Sequence, residues 1–174
     1  MTSTTKNKVK FGGISFPAVG VLGSGDVNVT YAPDNSVVSI ILLPLSINLQ
    51  KSSDGLLKLA VLTLEAPAAA TSAGRSFTYR CIVKGSISKT ANGRAYGLLL
   101  VAGETKALDF KYGRALSGQE ISTAVTGGRK VSVSEGAPLP PSTLTIVIAG
   151  ERRTSGDAVL FQIDSVDLTG STSK

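Results

Sequence analysis

A period of two residues runs through almost the whole chain, and no other feature restricts the fold as much. Alternation of apolar and polar residues at that period puts successive side chains on opposite faces of an extended strand, whereas a helix needs a repeat near 3.6. Val27, Val29 and Tyr31 face one way while Asn28 and Thr30 face the other. Leu45, Ile47 and Leu49 alternate, as do Phe77, Tyr79, Cys81 and Val83, with Arg80 and Lys84 on the opposite side. The pattern resumes at Leu144, Ile146 and Ile148, at Val159, Phe161 and Ile163, and at Val166 and Leu168.

Turn chemistry punctuates these runs. Pro33-Asp34-Asn35, Ser52-Ser53-Asp54-Gly55 and Ser155-Gly156-Asp157 combine residues that preset or tolerate turn geometry. The last two lead into Leu57, Leu59 and Val61 and into the Val159 run. Asn92-Gly93 predicts a two-residue hairpin of type I′, which needs positive φ at both central positions. Gly12-Gly13 breaks an opening extended segment. Pro44 marks an edge or a bend, and the small-residue run from Ala66 to Gly74 reads as a loop. Pro138, Pro140 and Pro141 read as a rigid crossover between sheets. Leu116 to Val125 is the one stretch with a weak helical pattern, since Ile121 and Val125 are four apart, with Gly118 inside it.

About eight to ten strands with closely spaced turns predict an all-β fold, a single antiparallel β-sandwich of jelly-roll or Greek-key type. The 174 residues suit one domain. The expected organisation is a basic flexible N-terminal arm over 1–10, a sandwich over 11–169 and a disordered tail over 170–174.

Composition narrows the chemistry. The chain has no His, so Ser-His-Asp or Cys-His catalysis and His-ligated metals are excluded. One Cys excludes an internal disulfide and a Cys-cluster zinc site. Cys81 sits on the apolar face of its strand and reads as a buried hydrophobe. The twelve carboxylates lie mostly at turns, in no motif that singles out a catalytic pair or a calcium loop. Gly23-Ser24-Gly25 lacks the helix and the Lys-Ser/Thr pair of a phosphate loop and reads as a turn. No cofactor is implied, and the chain is read as a non-enzyme.

Eighteen Lys and Arg against twelve Asp and Glu give a net charge of +6. From Ala66 to Gly103 there are cations and no acid, with Arg80, Lys84, Lys89 and Arg94 near the predicted hairpin. Lys6, Lys8 and Lys10 make the N-terminus basic, and Arg129 and Lys130 follow two glycines that expose backbone amides. These nine residues are the candidate contacts to a polyanion such as nucleic acid. Few aromatics fall at outward positions, so such contact would address the backbone rather than the bases.

Apolar residues on both sides of one segment, Val38, Ile40 and Leu42 against Val37, Ile41 and Leu43, call for a second packed layer or a subunit contact. The leading functional expectation is therefore a self-associating structural, coat-like protein, a homo-oligomer whose basic arm meets a polyanion. A ligand-binding module of lectin or adhesin type is the alternative, and a carboxylate-dependent hydrolase the third. No apolar run of membrane-spanning length and no signal-peptide pattern is visible. The expected location is cytoplasmic or within a particle.

Overall fold

The computed structural model describes residues 7–19 and 27–174. Eleven strands follow one another: β1 (Asn7–Phe11), β2 (Ser15–Val19), β3 (Val27–Tyr31), β4 (Val37–Leu49), β5 (Leu57–Ala70), β6 (Gly74–Lys89), β7 (Gly93–Val101), β8 (Glu104–Phe110), β9 (Leu116–Val133), β10 (Pro138–Arg152) and β11 (Val159–Ser173). A single 3-10 turn, Ser52–Asp54, is the only helical element among the described residues. None of their helices is long and apolar enough to cross a membrane.

All pairings are antiparallel and build two sheets. Sheet A has the order β3-β4-β11-β6-β9 and sheet B the order β5-β10-β7-β8, with β2 alongside β5. β1 joins both: Asn7 and Lys8 pair with β11, while Val9 to Phe11 pair with β5. Around the β7–β8 hairpin, the pairs β6–β9, β5–β10 and β4–β11 nest in succession, and these pairs fall alternately in the two sheets. This rolled-up long hairpin is the jelly-roll topology, so the sandwich expected from the alternation is the fold.

The two sheets enclose one core. Val38, Ile40, Leu45 and Ile47 of β4, Tyr79 to Val83 of β6 and Phe161 to Leu168 of β11 meet Leu62 and Leu64 of β5 and Leu144 to Ile148 of β10. The inward sets match the alternation read from the sequence, with one inversion. On β5 the buried residues are Ala60, Leu62 and Leu64, so Leu57, Leu59 and Val61 point outward. The change of phase between Ile163 and Val166 is a bulge: the β11–β4 register slips between Ile163/Ser165 and Leu45/Ile41, beside Pro44. Cys81 is fully buried, as expected; burial, with the Asp167 carboxylate nearby, pushes its thiol up to about 12.

Several expectations are corrected. Leu116–Val125 is not helical but the first half of β9, paired along β6. A spacing of four is even as well as close to one helical turn, so Ile121 and Val125 share a strand face with Thr123 between them. Pro138–Pro141 belongs to β10, with a register slip between Leu139 and Ser142 that accommodates the prolines. Ala66–Ala70 is strand, not loop. Lys8 and Lys10 lie in β1 rather than in a free arm, and Gly170–Ser173 continue β11 against β6 instead of forming a loose tail. The hairpin at Asn92-Gly93 exists, but its turn runs Thr90 to Gly93, closed by the Gly93 amide on the Thr90 carbonyl at 3.0 Å, with neither Asn92 nor Gly93 at positive φ. The two-residue turn with positive φ at both positions is Ala102 (47°) and Gly103 (89°), between β7 and β8. Lys6, the first six residues and the Gly23–Gly25 turn lie outside the described residues.

Candidate interaction surfaces

The cations singled out from the sequence do not form one patch. Arg80 and Lys84 stand on the outer face of sheet A. Arg80 borders a hollow lined by Thr78, Thr126, Thr169 and Ser171. Lys84 is tied to Asp167 at 3.0 Å, and Ser39 donates to the same carboxylate at 2.7 Å. Arg94 lies on the opposite side of the molecule, on the outer face of sheet B, 3.3 Å from Asp109. Lys8 pairs with Asp34 at 2.7 Å, and this ammonium with the Ser36 hydroxyl and amide holds the Asp34 carboxyl far below the usual carboxylate range. Lys10, Arg129 and Lys130 are exposed. Gly127 and Gly128 form no anion nest. They are strand residues opposite Tyr79 and Thr78, where extended geometry alternates the direction of successive amides. Glycine is required there by space: a Cβ on Gly127 would stand 2.3 Å from the Val101 carbonyl oxygen, and one on Gly128 2.3 Å from that of Phe77.

Lys89 is not on the surface at all. It is 4% exposed, and its ammonium donates to the carbonyls of Thr90 (3.3 Å), Gly93 (2.8 Å) and Arg114 (2.5 Å). Alternation places it inward at the end of β6, and the turn carbonyls it meets there replace the water it loses. Burial lowers its pKa.

Arg152, which the sequence did not single out, has the same role at the end of β10 and is 2% exposed. Its Nε donates to the Gly55 carbonyl at 2.7 Å and Nη2 to that of Lys51 at 2.7 Å. Its Nη1 reaches Asp157 at 3.0 Å, Ser155 at 3.2 Å and Leu49 at 3.5 Å. A planar fork with five N–H groups suits this ring of carbonyls as a flexible ammonium would not.

Together these two cations knit the loops at one end of the sandwich. Arg152 joins the β4–β5 loop to the β10–β11 loop, and Lys89 joins the β6–β7 turn to the β8–β9 loop. Thr90 closes the set: its amide donates to the Ala158 carbonyl at 3.0 Å and its hydroxyl accepts from the Ala158 amide at 3.2 Å. Arg153 lies 4.4 Å from the centre of the Tyr112 ring, linking the β10–β11 and β8–β9 loops again.

The outer face of sheet B is the second feature that the sequence pattern did not locate. Strand register aligns Leu59, Ala149, Tyr96 and Asp109 in one row, Val61, Val147, Leu98 and Ala107 in the next, and Thr63, Thr145, Leu100 and Thr105 beyond. Leu57 and Leu59 are 67% and 61% exposed. The other members of these rows are half-buried or exposed. At strand spacings near 4.8 Å and rises near 3.3 Å, the apolar part covers roughly 20 by 20 Å. A shallow groove of about 300 Å³ opens at its end between Leu57, Tyr96 and Ala149, with Arg94 and Glu151 on its walls. Sheet A has a smaller outward apolar element, where Ile41 is 42% exposed.

Among the described residues no three His, Cys, Asp or Glu side chains gather in a way that would hold a metal ion. Glu151 and Asp109 flank Arg94 from the neighbouring strands on either side, β10 and β8, and Asp109 is bonded to that guanidinium.

No protein-family model matches the chain, and no curated protein matches it. Among solved structures, the chain is similar to TmCBM61 in complex with β-1,4-galactotriose, at 14% identity over 89% of this chain and 85% of that one, with a TM-score of 0.30. It is also similar to the GH31 α-xylosidase Xac1773 from Xanthomonas citri, at 14% identity over 97% of this chain and 20% of that one, with a TM-score of 0.21. At these TM-scores the likenesses carry no argument about what this chain binds.

Proposed function

We propose that the protein is a non-catalytic structural subunit that associates with copies of itself through the outer face of sheet B. The observation that supports this reading is the apolar set on that face, with Leu57 and Leu59 exposed and Val61, Leu98 and Val147 half-buried. The patch, roughly 400 Å² in projection, has the extent of an interface core with a polar margin. A second copy fits it. Arg94 and Glu151 are cross-strand neighbours on β7 and β10, as are Tyr96 and Ala149. A two-fold axis running between these strands brings Arg94 of each copy to Glu151 of the other, and the Tyr96 ring onto the small Ala149. At the centre charge is then matched and large meets small, while at the margin the same axis sets Leu59 against the Asp109 of the other copy.

Such a contact closes on itself and gives a dimer. A coat-like particle requires a further, heterologous contact in addition. The pairing is tested by charge exchange. Arg94→Glu or Glu151→Arg alone should weaken the dimer, and the double variant should restore it, with light scattering as the readout. Equal masses for all four proteins would remove the two-fold arrangement.

The groove beside Tyr96 favours a second reading, a ligand-binding module. An aromatic face flanked by Arg94 and Glu151 is the kind of site on which a sugar ring stacks and hydrogen-bonds. A glycan panel with melting temperature as readout tests it, and no shift with any glycan would remove it.

A further inference from the structure

The four loops at one end of the sandwich gather charge that is scattered along the chain. The β4–β5, β8–β9 and β10–β11 loops hold Lys51, Lys111, Arg114 and Arg153 at their surface, beside the cation-free β6–β7 turn and over the buried Lys89 and Arg152. Against these six cations stand two loop carboxylates, Asp54 and Asp157, both turned to the loops themselves, and a third at the end of β10, Glu151, whose side chain meets the Tyr112 hydroxyl. Asp54 accepts from the amides of Gln50 (3.0 Å) and Lys51 (2.7 Å), and Asp157 from the amide and hydroxyl of Thr154 (3.0 and 2.9 Å). The four surface cations take part in none of the ion pairs found among the described residues. Neither buried cation has a carboxylate partner; each faces backbone carbonyls. The Asp54 carboxylate lies close enough to Arg152 to offset part of its charge, and what remains of the two acts on the rim through a medium that screens less than water.

The rim is also built to stay in place. Lys89, Arg152 and Thr90 bond every loop to another, so ordering the loops costs little when a ligand arrives. There Tyr112 and Arg153 stack at 4.4 Å, an aromatic and planar-cation pair, with Lys111 and Arg114 close by in the same β8–β9 loop. Glu151, which adjoins Arg94 on the sheet B face, also meets the Tyr112 hydroxyl at the edge of the stack.

We propose that this loop end binds single-stranded nucleic acid, with Lys51, Lys111, Arg114 and Arg153 holding phosphates and the Tyr112–Arg153 stack receiving a base. Closely spaced cations around a stacking platform are the recurring elements of sequence-tolerant single-strand binding. A sulfated glycan would use the same cations, and the comparison with heparin separates the two. The site is separate from the nine residues selected by sequence alone, except that Lys89 serves it as a positioning residue. It adjoins the proposed contact between copies at Glu151, which meets Tyr112, but its phosphate-holding cations lie outside that contact.

The test is fluorescence anisotropy with a labelled dT20 probe in 20–200 mM NaCl, using the full chain. Three to four phosphate contacts give a salt slope, log K against log salt, of about −2 to −3. Lys111→Gln/Arg114→Gln/Arg153→Gln should lower affinity at least about tenfold at low salt and flatten the slope by about 2. Tyr112→Leu should weaken binding severalfold with the slope unchanged, a split that a merely structural role would not produce. Arg80→Gln/Lys130→Gln, on sheet A and its edge, should bind like the parent. All variants change exposed or half-buried side chains, and melting curves verify their folding. The proposal is overturned if the parent does not bind dT20, or if the triple variant binds as the parent does. Loss of binding only with Arg80 and Lys130, or tighter binding of heparin than of dT20, overturns it equally.

Discussion

Replacing Arg152 with Met keeps the length and apolar stem of the side chain and deletes its fork. Five carbonyl oxygens, of Leu49, Lys51, Gly55, Ser155 and Asp157, then lose their donor. A hydrogen bond to a charged group contributes about 1.5–3 kcal/mol net, but carbonyls at a loop end regain water when the loops open. The longest of the five, at 3.5 Å, is weak. Removing the charge also removes its desolvation cost. The balance is a loss of about 3 kcal/mol, at the lower end of the range for breaking a buried charged network. With an unfolding entropy near 2.1 cal/mol/K per residue, that lowers the melting temperature by about 8 °C for a chain of 174 residues. Arg152→Lys should recover less than half of the loss, since one nitrogen with three donors cannot span the ring of acceptors. The loops report separately. Lys51 and Arg153 are trypsin sites in the segments that Arg152 holds, so limited trypsin digestion should cut the Met variant there well before the parent. A Met variant that melts within about 2 °C of the parent and resists trypsin equally would refute the view that this guanidinium organises the loop end.

Thr172 is fully buried on β11 and its hydroxyl has no hydrogen-bond partner among the described residues, so Thr172→Val, of the same shape, should raise stability by about 1 kcal/mol, or 2–4 °C in a thermal melt. Acid should act first at the loops. The Lys51 amide holds Asp54 below its ordinary pKa and the Thr154 hydroxyl does the same for Asp157, so both bind fewer protons folded than unfolded near pH 4. Their contribution is complete above the ordinary carboxylate range and fades as pH falls through the depressed folded values. The melting temperature should thus be flat from pH 7 to about 5 and drop below about pH 4, and Asp157→Asn should make that drop shallower while lowering the neutral-pH plateau.

The fold was legible in the sequence wherever one face of a strand is apolar and the other is not. The Phe77–Val83, Leu144–Ile148 and Val159–Ile163 runs gave both the strands and their inward sides. It was ambiguous wherever both faces are apolar. In Leu57-Lys58-Leu59-Ala60-Val61-Leu62, periodicity cannot say which set is buried, and the larger side chains lie outside. That choice hides the face on which the proposed association rests. At Ile121 and Val125 an even spacing fits strand and helix alike. The tail and the prolines of β10 were misread because pairing partners distant in sequence, β6 and β5, hold segments whose composition alone suggests loops.

The loop end was invisible for a different reason. Counting charge along the chain finds the stretch from Ala66 to Gly103, whose cations the fold distributes over two opposite faces and the interior. The concentrated charge comes instead from residue 51, residues 111–114 and residues 152–153, which only the jelly-roll connections bring together. A lysine at the end of a strand, one residue before a turn, is the single local hint that survives, because turn carbonyls lie within its reach.

Self-association through sheet B is the central claim, and the absolute mass of the untagged protein in solution tests it most directly. Light scattering at about 100 µM should give at least twice the 17.8 kDa chain mass, and Leu59→Glu, a change at a 61% exposed position that leaves the core intact, should return that mass to a monomer with an unchanged melting curve. A parent protein that is monomeric at that concentration, or a Leu59→Glu variant that associates as the parent does, would contradict it.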